Sequence, residues 1–134
     1  MIGSPRWRNC LCRLGLALTT VLMAACGPTG PQFGAVSGRV TLNGQPLRQA
    51  TVEFQPENGS PSYGISDATG NYSLAWSPDQ TGALVGQHTV RVTTYDESMP
   101  HVRERLPAKY NSRSELKFEV KPGRQTIHLE LSSP

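Results

Sequence analysis

From Ala35 onward the apolar residues of this 134-residue chain recur at every second position, and that period limits the possible folds more than any other feature. A period of two puts alternate side chains on one face, as in a half-buried strand, whereas an amphipathic helix needs 3.6. Val36, Val40 and Leu42 alternate with Ser37, Arg39 and Thr41, with Gly38 sharing the apolar face. Val52 and Phe54 lie between Thr51, Glu53 and Gln55, and Tyr63 with Ile65 makes a shorter run. Tyr72, Leu74 and Trp76 share one parity, as do Val90, Val92 and Thr94. Leu116, Phe118 and Val120 alternate with Lys117 and Glu119; Ile127, Leu129 and Leu131 alternate with His128 and Glu130. Seven strands are expected, with Phe54, Tyr63, Tyr72, Trp76, Val90, Phe118 and Leu129 facing inward.

The residues between these runs suit tight turns. Asn43-Gly44 supplies the positive φ of a two-residue hairpin loop. Asp67 can accept bonds from the backbone ahead of it, with Gly70 closing a type I turn in the left-handed region. Pro122 and Gly123 suit the centre of a type II turn. Residues 95–113, with Pro100 and Pro107 and no strand pattern, are expected to form a long crossover loop. Residues 35–134 are therefore expected to be all-β: a seven-stranded antiparallel β-sandwich of immunoglobulin-like architecture. A domain of this size buries about two-thirds of its chain surface, enough to fold without disulfides or metal.

The N-terminal region differs. Arg6, Arg8 and Arg13 precede an uncharged stretch, residues 14–25, that is shorter than the roughly 20 residues needed to span a bilayer. Residues 1–25 read as an export signal. The three arginines also account for the net charge of +3, because ten basic residues face ten acidic ones beyond residue 25. A balanced domain offers no basic face, and nucleic acid is set aside as a partner. Met23-Ala24-Ala25-Cys26 resembles the lipobox of bacterial lipoproteins, with Met23 where leucine is more usual. The resemblance implies cleavage before Cys26, a lipid on its sulfur and an acylated amino terminus. Cys10 and Cys12 would leave with the signal, and a single remaining cysteine makes no internal disulfide. Residues 26–34, the lipidated cysteine and a Gly/Pro-rich tether, are read as unable to hold a paired strand, and eight extended residues reach at most about 25 Å. Gly27 is not the aspartate associated with inner-membrane retention, which favours an outer membrane where two exist.

Residues 36–47 (VSGRVTLNGQPL), followed by Ala50, Val52 and Phe54, resemble the opening of a carboxypeptidase regulatory-like domain. Residues 66–72 (SDATGNY) and 86–92 (GQHTVRV) are similar to that family's second and third signatures. The resemblance covers residues 35–131 and implies a transthyretin-like (prealbumin-like) sandwich. It says little about activity, because its motifs are turn glycines and core positions.

His101 and Glu104 match H-x-x-E, a zinc-binding spacing, and His128 is a conceivable third ligand. Their place in a Pro-bounded loop and on an outward strand position argues for solvated side chains instead. His88 reads as a hydrogen-bonded edge residue rather than a base. The transthyretin-like hydroxyisourate hydrolases end in Tyr-Arg-Gly-Ser, whereas this chain ends Leu131-Ser132-Ser133-Pro134. No nucleophile elbow, phosphate loop or calcium loop occurs, so no catalysis, cofactor or metal is expected. The expected role is a structural or protein-interaction module held at the membrane through lipid on Cys26. A glycan-binding module is the alternative, for which exposed Tyr95 and Tyr110 would speak.

Overall fold

The computed structural model describes Gly3 and residues 30–134. The export segment, the lipobox Met23, Ala24 and Ala25, and Cys26 lie outside the described residues. In chain order the strands are β1 Phe33–Leu42, β2 Gln45–Pro46, β3 Thr51–Pro56, β4 Ser62–Ile65, β5 Asn71–Ser73 and β6 Ala75–Ser77. They continue as β7 Gln80–Thr81, β8 Ala83–Leu84, β9 Gly86–Thr93, β10 Leu116–Val120, β11 Gly123–Thr126 and β12 Leu129–Leu131.

β1 is the axis of the first sheet. Along one flank it pairs antiparallel with β8, β5 and β2 in turn, and along the other it pairs with β11 and then β12. The second sheet runs β10-β9-β3-β4-β6-β7, antiparallel throughout. Val36 and Val40 from the first sheet and Val52, Phe54, Val90 and Val92 from the second are buried in the sandwich-like core, with Leu74, Ala83, Val120 and Leu129.

Three expectations need correction. The sandwich is not wholly antiparallel, because β11 and β12 run parallel to β1. β10 ends beside Gly86, at the end of the molecule where β1 begins, and the chain then crosses to the first sheet. A strand that starts there must climb in the same direction as β1. The expected seven strands are also subdivided. The run 72–76 breaks at Leu74, where the chain passes from the first sheet to the second, and the run 127–131 begins only at Leu129. Finally, the tether does hold a paired strand in its last two residues, since Phe33 pairs with Leu84 and Gly34 with Gly123.

Side-chain parity departs from expectation in β4. Ser62 and Gly64 face the core, while Tyr63 is 49% and Ile65 68% exposed. A Cβ on Gly64 would lie 2.5 Å from the Ser73 carbonyl oxygen, so the two sheets approach too closely there for a larger inward residue. Trp76 has inward parity but sits at the rim, 38% exposed, edge-on to Phe33 at 5.3 Å. Phe118 is half-buried over Phe54 at 6.4 Å. Tyr72 is buried as expected, which raises its hydroxyl pKa, and the hydroxyl donates to the Ile127 carbonyl at 2.5 Å.

That carbonyl presses against β1 at Gly38, where a Cβ would lie 1.9 Å from the Ile127 oxygen. Here the C-terminal chain interrupts its ladder with β1. Ile127 N–H donates to Ser37 O at 2.8 Å, and the Arg39 amide is satisfied by His128 Nδ1 at 3.1 Å.

We expect Gly38→Ala to destabilise the fold by about 3 kcal/mol, because the added methyl meets rigid backbone. Phe54→Ala should cost about 3–5 kcal/mol, and the exposed Gln45→Ala less than about 0.5. Urea titration of the three variants measures all three differences.

Candidate functional site

The chain enters β1 at Phe33, beside Gln32, whose carbonyl accepts from Val85 N–H, and close to the beginning of β9. The opposite end of the molecule carries the end of β4, the beginning of β3, the end of β9 and the loop that follows. There Arg48, Gln49, Thr51, Ile65, Thr94, Tyr95, Asp96, Glu97, Met99, Val102 and Arg105 surround a groove of about 730 Å³.

A single carboxylate holds the outer wall of this groove. Glu104 accepts hydrogen bonds from the Thr93 hydroxyl, from Thr94 N–H at 2.9 Å and Thr94 Oγ1 at 2.6 Å, and from Leu106 N–H at 3.0 Å. Thr94 Oγ1 in turn accepts from the Arg105 amide at 2.8 Å. Partial burial would raise the Glu104 pKa, but these donors favour the ionised form and together hold it below its ordinary value. Beyond Glu104, Leu106 and Tyr110 plug into the core, Tyr110 from a single 3-10 turn at Ala108–Tyr110. The Tyr110 hydroxyl accepts from Ser132 N–H at 2.9 Å, closing the loop onto the end of the chain.

The inner wall has a strained element. Gln49 adopts φ 54 with its N–H bonded to Ser66 O at 2.9 Å, an uncommon backbone state for a residue with a side chain. Ser66 is buried, and its hydroxyl links Leu47 O at 2.6 Å with Ala50 N–H at 2.9 Å, so the bend is fixed from inside. The floor exposes Ile65, Met99 and Tyr95, the last two 41% and 46% accessible. Arg48 and Arg105 balance Asp96 and Glu97, and Asp96 is engaged by Ser98 N–H at 2.8 Å and Ser98 Oγ at 2.6 Å. An apolar floor between compensated charges suits a mixed polar and apolar ligand better than an ion.

The sequence-derived chemistry is dispersed. Among the described residues, no three His, Cys, Asp or Glu side chains come together as a metal site. Glu104 is taken up by the loop bonds, His101 is exposed, and His128 faces the Arg39 amide. His88 is not at an edge: β9 is flanked by β3 and β10, and the ring is buried, with Nε2–H donating to Leu84 O at 2.6 Å. A carbonyl only accepts, so the proton sits on Nε2 and the buried Nδ1 has no donor facing it.

The turn residues lie outside the groove. Asn43 (φ 50) and Gly44 (φ 80) join β1 to β2. Asp67 Oδ1 accepts from Thr69 N–H at 2.9 Å, Thr69 Oγ1 at 2.7 Å and Asn71 N–H at 3.0 Å. These bonds, that of the Thr69 hydroxyl foremost, lower the Asp67 pKa. Gly70 (φ 81) brings its N–H to Asp67 O at 3.0 Å. Gly123 (φ 91) follows Pro122 in a turn closed by the Gln125 side chain, which accepts from Lys121 N–H at 3.0 Å and donates to Lys121 O at 2.7 Å. Sequence reasoning missed the groove itself. Its one advance signal was Ile65 beside the small, alternating Ser62, Gly64 and Ser66.

No family model matches the chain, and no curated protein matches it. A DUF3823 family protein from Parabacteroides merdae ATCC 43184, solved by crystallography, is similar in structure, with 19% sequence identity and a TM-score of 0.47. The match covers 75% of this chain, and the chain spans 46% of that protein's length.

Because the folded-state pKa of Glu104 is depressed, its contribution is complete above the unfolded value of about 4.3 and fades as pH falls through the folded one. The protection of the Thr94 and Leu106 amides, measured against the intrinsic exchange rate at each pH, should therefore fall below about pH 4 in the native protein. Glu104→Gln should cost about 1–3 kcal/mol at neutral pH and remove that acid dependence. An unchanged acid profile in the variant would contradict the assigned role.

Proposed function

We propose that this chain is a non-catalytic interaction module of a bacterial cell envelope, anchored by lipid on Cys26 and folded as a transthyretin-like, carboxypeptidase regulatory-like sandwich. The observation that carries the interaction role is the position of the groove. β1 spans ten residues, about 30 Å at strand rise, and the groove lies at the end away from Phe33. On a chain tethered through residues 26–34, that end points away from the membrane, where an envelope protein can reach it. Met99 and Ile65 supply adaptable apolar surface, and the charges of both signs around them supply orientation.

The role needs no group activation. Of the groove's carboxylates Asp96 accepts local bonds from Ser98, and Glu104, at its wall, holds a loop. A second reading, glycan binding, draws on the exposed rings of Tyr95, Tyr63 and Trp76. Tyr110, also a candidate in the sequence, is buried and lends it nothing.

Two measurements test the proposal. In a lipoprotein-competent bacterium the mature protein should begin at Cys26 and carry diacylglyceryl on its sulfur, and Cys26→Ser should leave an unprocessed precursor. An unmodified mature amino terminus refutes the anchor. Peptides selected on the full chain from a random library should bind at least about tenfold more weakly to Ile65→Asp, a loss of about 1.4 kcal/mol. Peptides indifferent to Ile65→Asp refute the groove, and a glycan-array signal lost in Tyr95→Ala would favour the second reading.

A further inference from the structure

β10 is an edge of the second sheet; among the described residues it pairs with β9 alone. Its solvent-facing residues are Lys117 and Glu119, and Glu115 and Lys121 continue the same parity just beyond its ends, all four exposed. Along this edge the charges therefore run minus, plus, minus, plus. The opposite parity carries Leu116, Phe118 and Val120, of which Leu116 and Phe118 are only half-buried. Among the described residues the sole ion pair is Arg91–Glu53, so none of these four charges is paired there; Lys117 Nζ donates to Thr89 Oγ1 at 3.2 Å.

We infer that β10 pairs with β10 of a second copy of this chain, antiparallel about a two-fold axis through Phe118. In that register Lys117 stands opposite Glu119 of the other copy, Glu115 stands opposite Lys121, and each pair occurs twice. On the inner parity Leu116 meets Val120, and Phe118 meets its own counterpart, covering the ring surface that the single chain leaves open. Directly opposed unlike charges and paired apolar side chains are what stabilise an antiparallel pair. The same charges reject the neighbouring alternatives. A parallel in-register pair would set each charge against its like. An antiparallel pair shifted by two residues would set Lys117 against Lys117, or Glu119 against Glu119.

Edge strands are commonly protected by charged side chains, a proline or a bulge. β10 has no proline or bulge, and its charges alternate in sign, so they do not repel an antiparallel copy of the same strand. Its alternating signs leave unlike copies unmatched and make the strand complementary to itself. The product is a continuous sheet running through both copies, and a five-residue contact of this kind is small, so the expected dimer is weak and concentration-dependent.

The test is sedimentation equilibrium of the full chain in density-matched detergent, up to about 100 μM, the range of weak, small interfaces. The wild type should be in monomer–dimer exchange. Lys117→Glu sets two glutamates against Glu119 and should weaken the dimer at least about tenfold. The double variant Lys117→Glu/Glu119→Lys restores opposed unlike charges at this pair and should recover most of the association. Both substituted residues, Lys117 and Glu119, face solvent, so circular dichroism should be the same for each protein. A wild type that stays monomeric, a dimer indifferent to Lys117→Glu, or a double variant as weak as the single one would each overturn the assignment.

Discussion

The structure depends on the ladder that β1 makes along both flanks. Five other strands hydrogen-bond to this one, three antiparallel and two parallel. None of the five is longer than four residues, and strands so short have little stability alone. Each is held because β1 offers it a backbone partner, and β5, β8 and β12 also bury side chains in the core. The close approach of the Ile127 carbonyl to Gly38 marks where this arrangement is most crowded, and the Tyr72 hydroxyl satisfies the same carbonyl from the other flank. The bonds Val40 N–H to Gly70 O and Leu74 N–H to Val36 O, both 2.8–3.0 Å, extend the hold to the turns that feed the second sheet.

Much of this was legible in the sequence because alternation reports burial directly. Val36, Val40, Val52, Phe54, Val90, Val92 and Leu129 all have the parity expected of them and are buried. Tyr63 and Ile65 read wrongly for a specific reason: alternation shows two faces but not which is inside, and in β4 the small residues take the inner one. Strands without apolar residues, such as β11 with Gly-Arg-Gln-Thr, had no periodic signal at all; their place comes from pairing with β1. Parallel direction was equally hidden, since it follows from where β10 ends and not from any local motif.

The groove was harder to see than the fold because it is assembled from distant parts. Arg48 comes from the connection between β2 and β3 and Ile65 from the end of β4, and the outer wall comes from a loop some thirty residues later. The link between them is Glu104, which the sequence presented as half of a metal-binding spacing. In the folded chain its oxygens meet hydroxyls and amides of Thr93, Thr94 and Leu106, and the chemistry is that of a clasp. The first sheet is thus held together along β1, while the groove lies at the end of the molecule away from Phe33, bounded by a loop that Glu104, Leu106 and Tyr110 attach.

Native-state hydrogen exchange tests the dependence on β1 most directly. The amides of Val40, Leu74 and Ile127 tie separate parts of the chain to that strand or to its partners. They should exchange only with global unfolding, at the same free energy as Val52 and Val92 in the second sheet. Exchange of Leu74 or Ile127 about a hundredfold faster than Val52 would show the first sheet opening by itself, and would contradict the account.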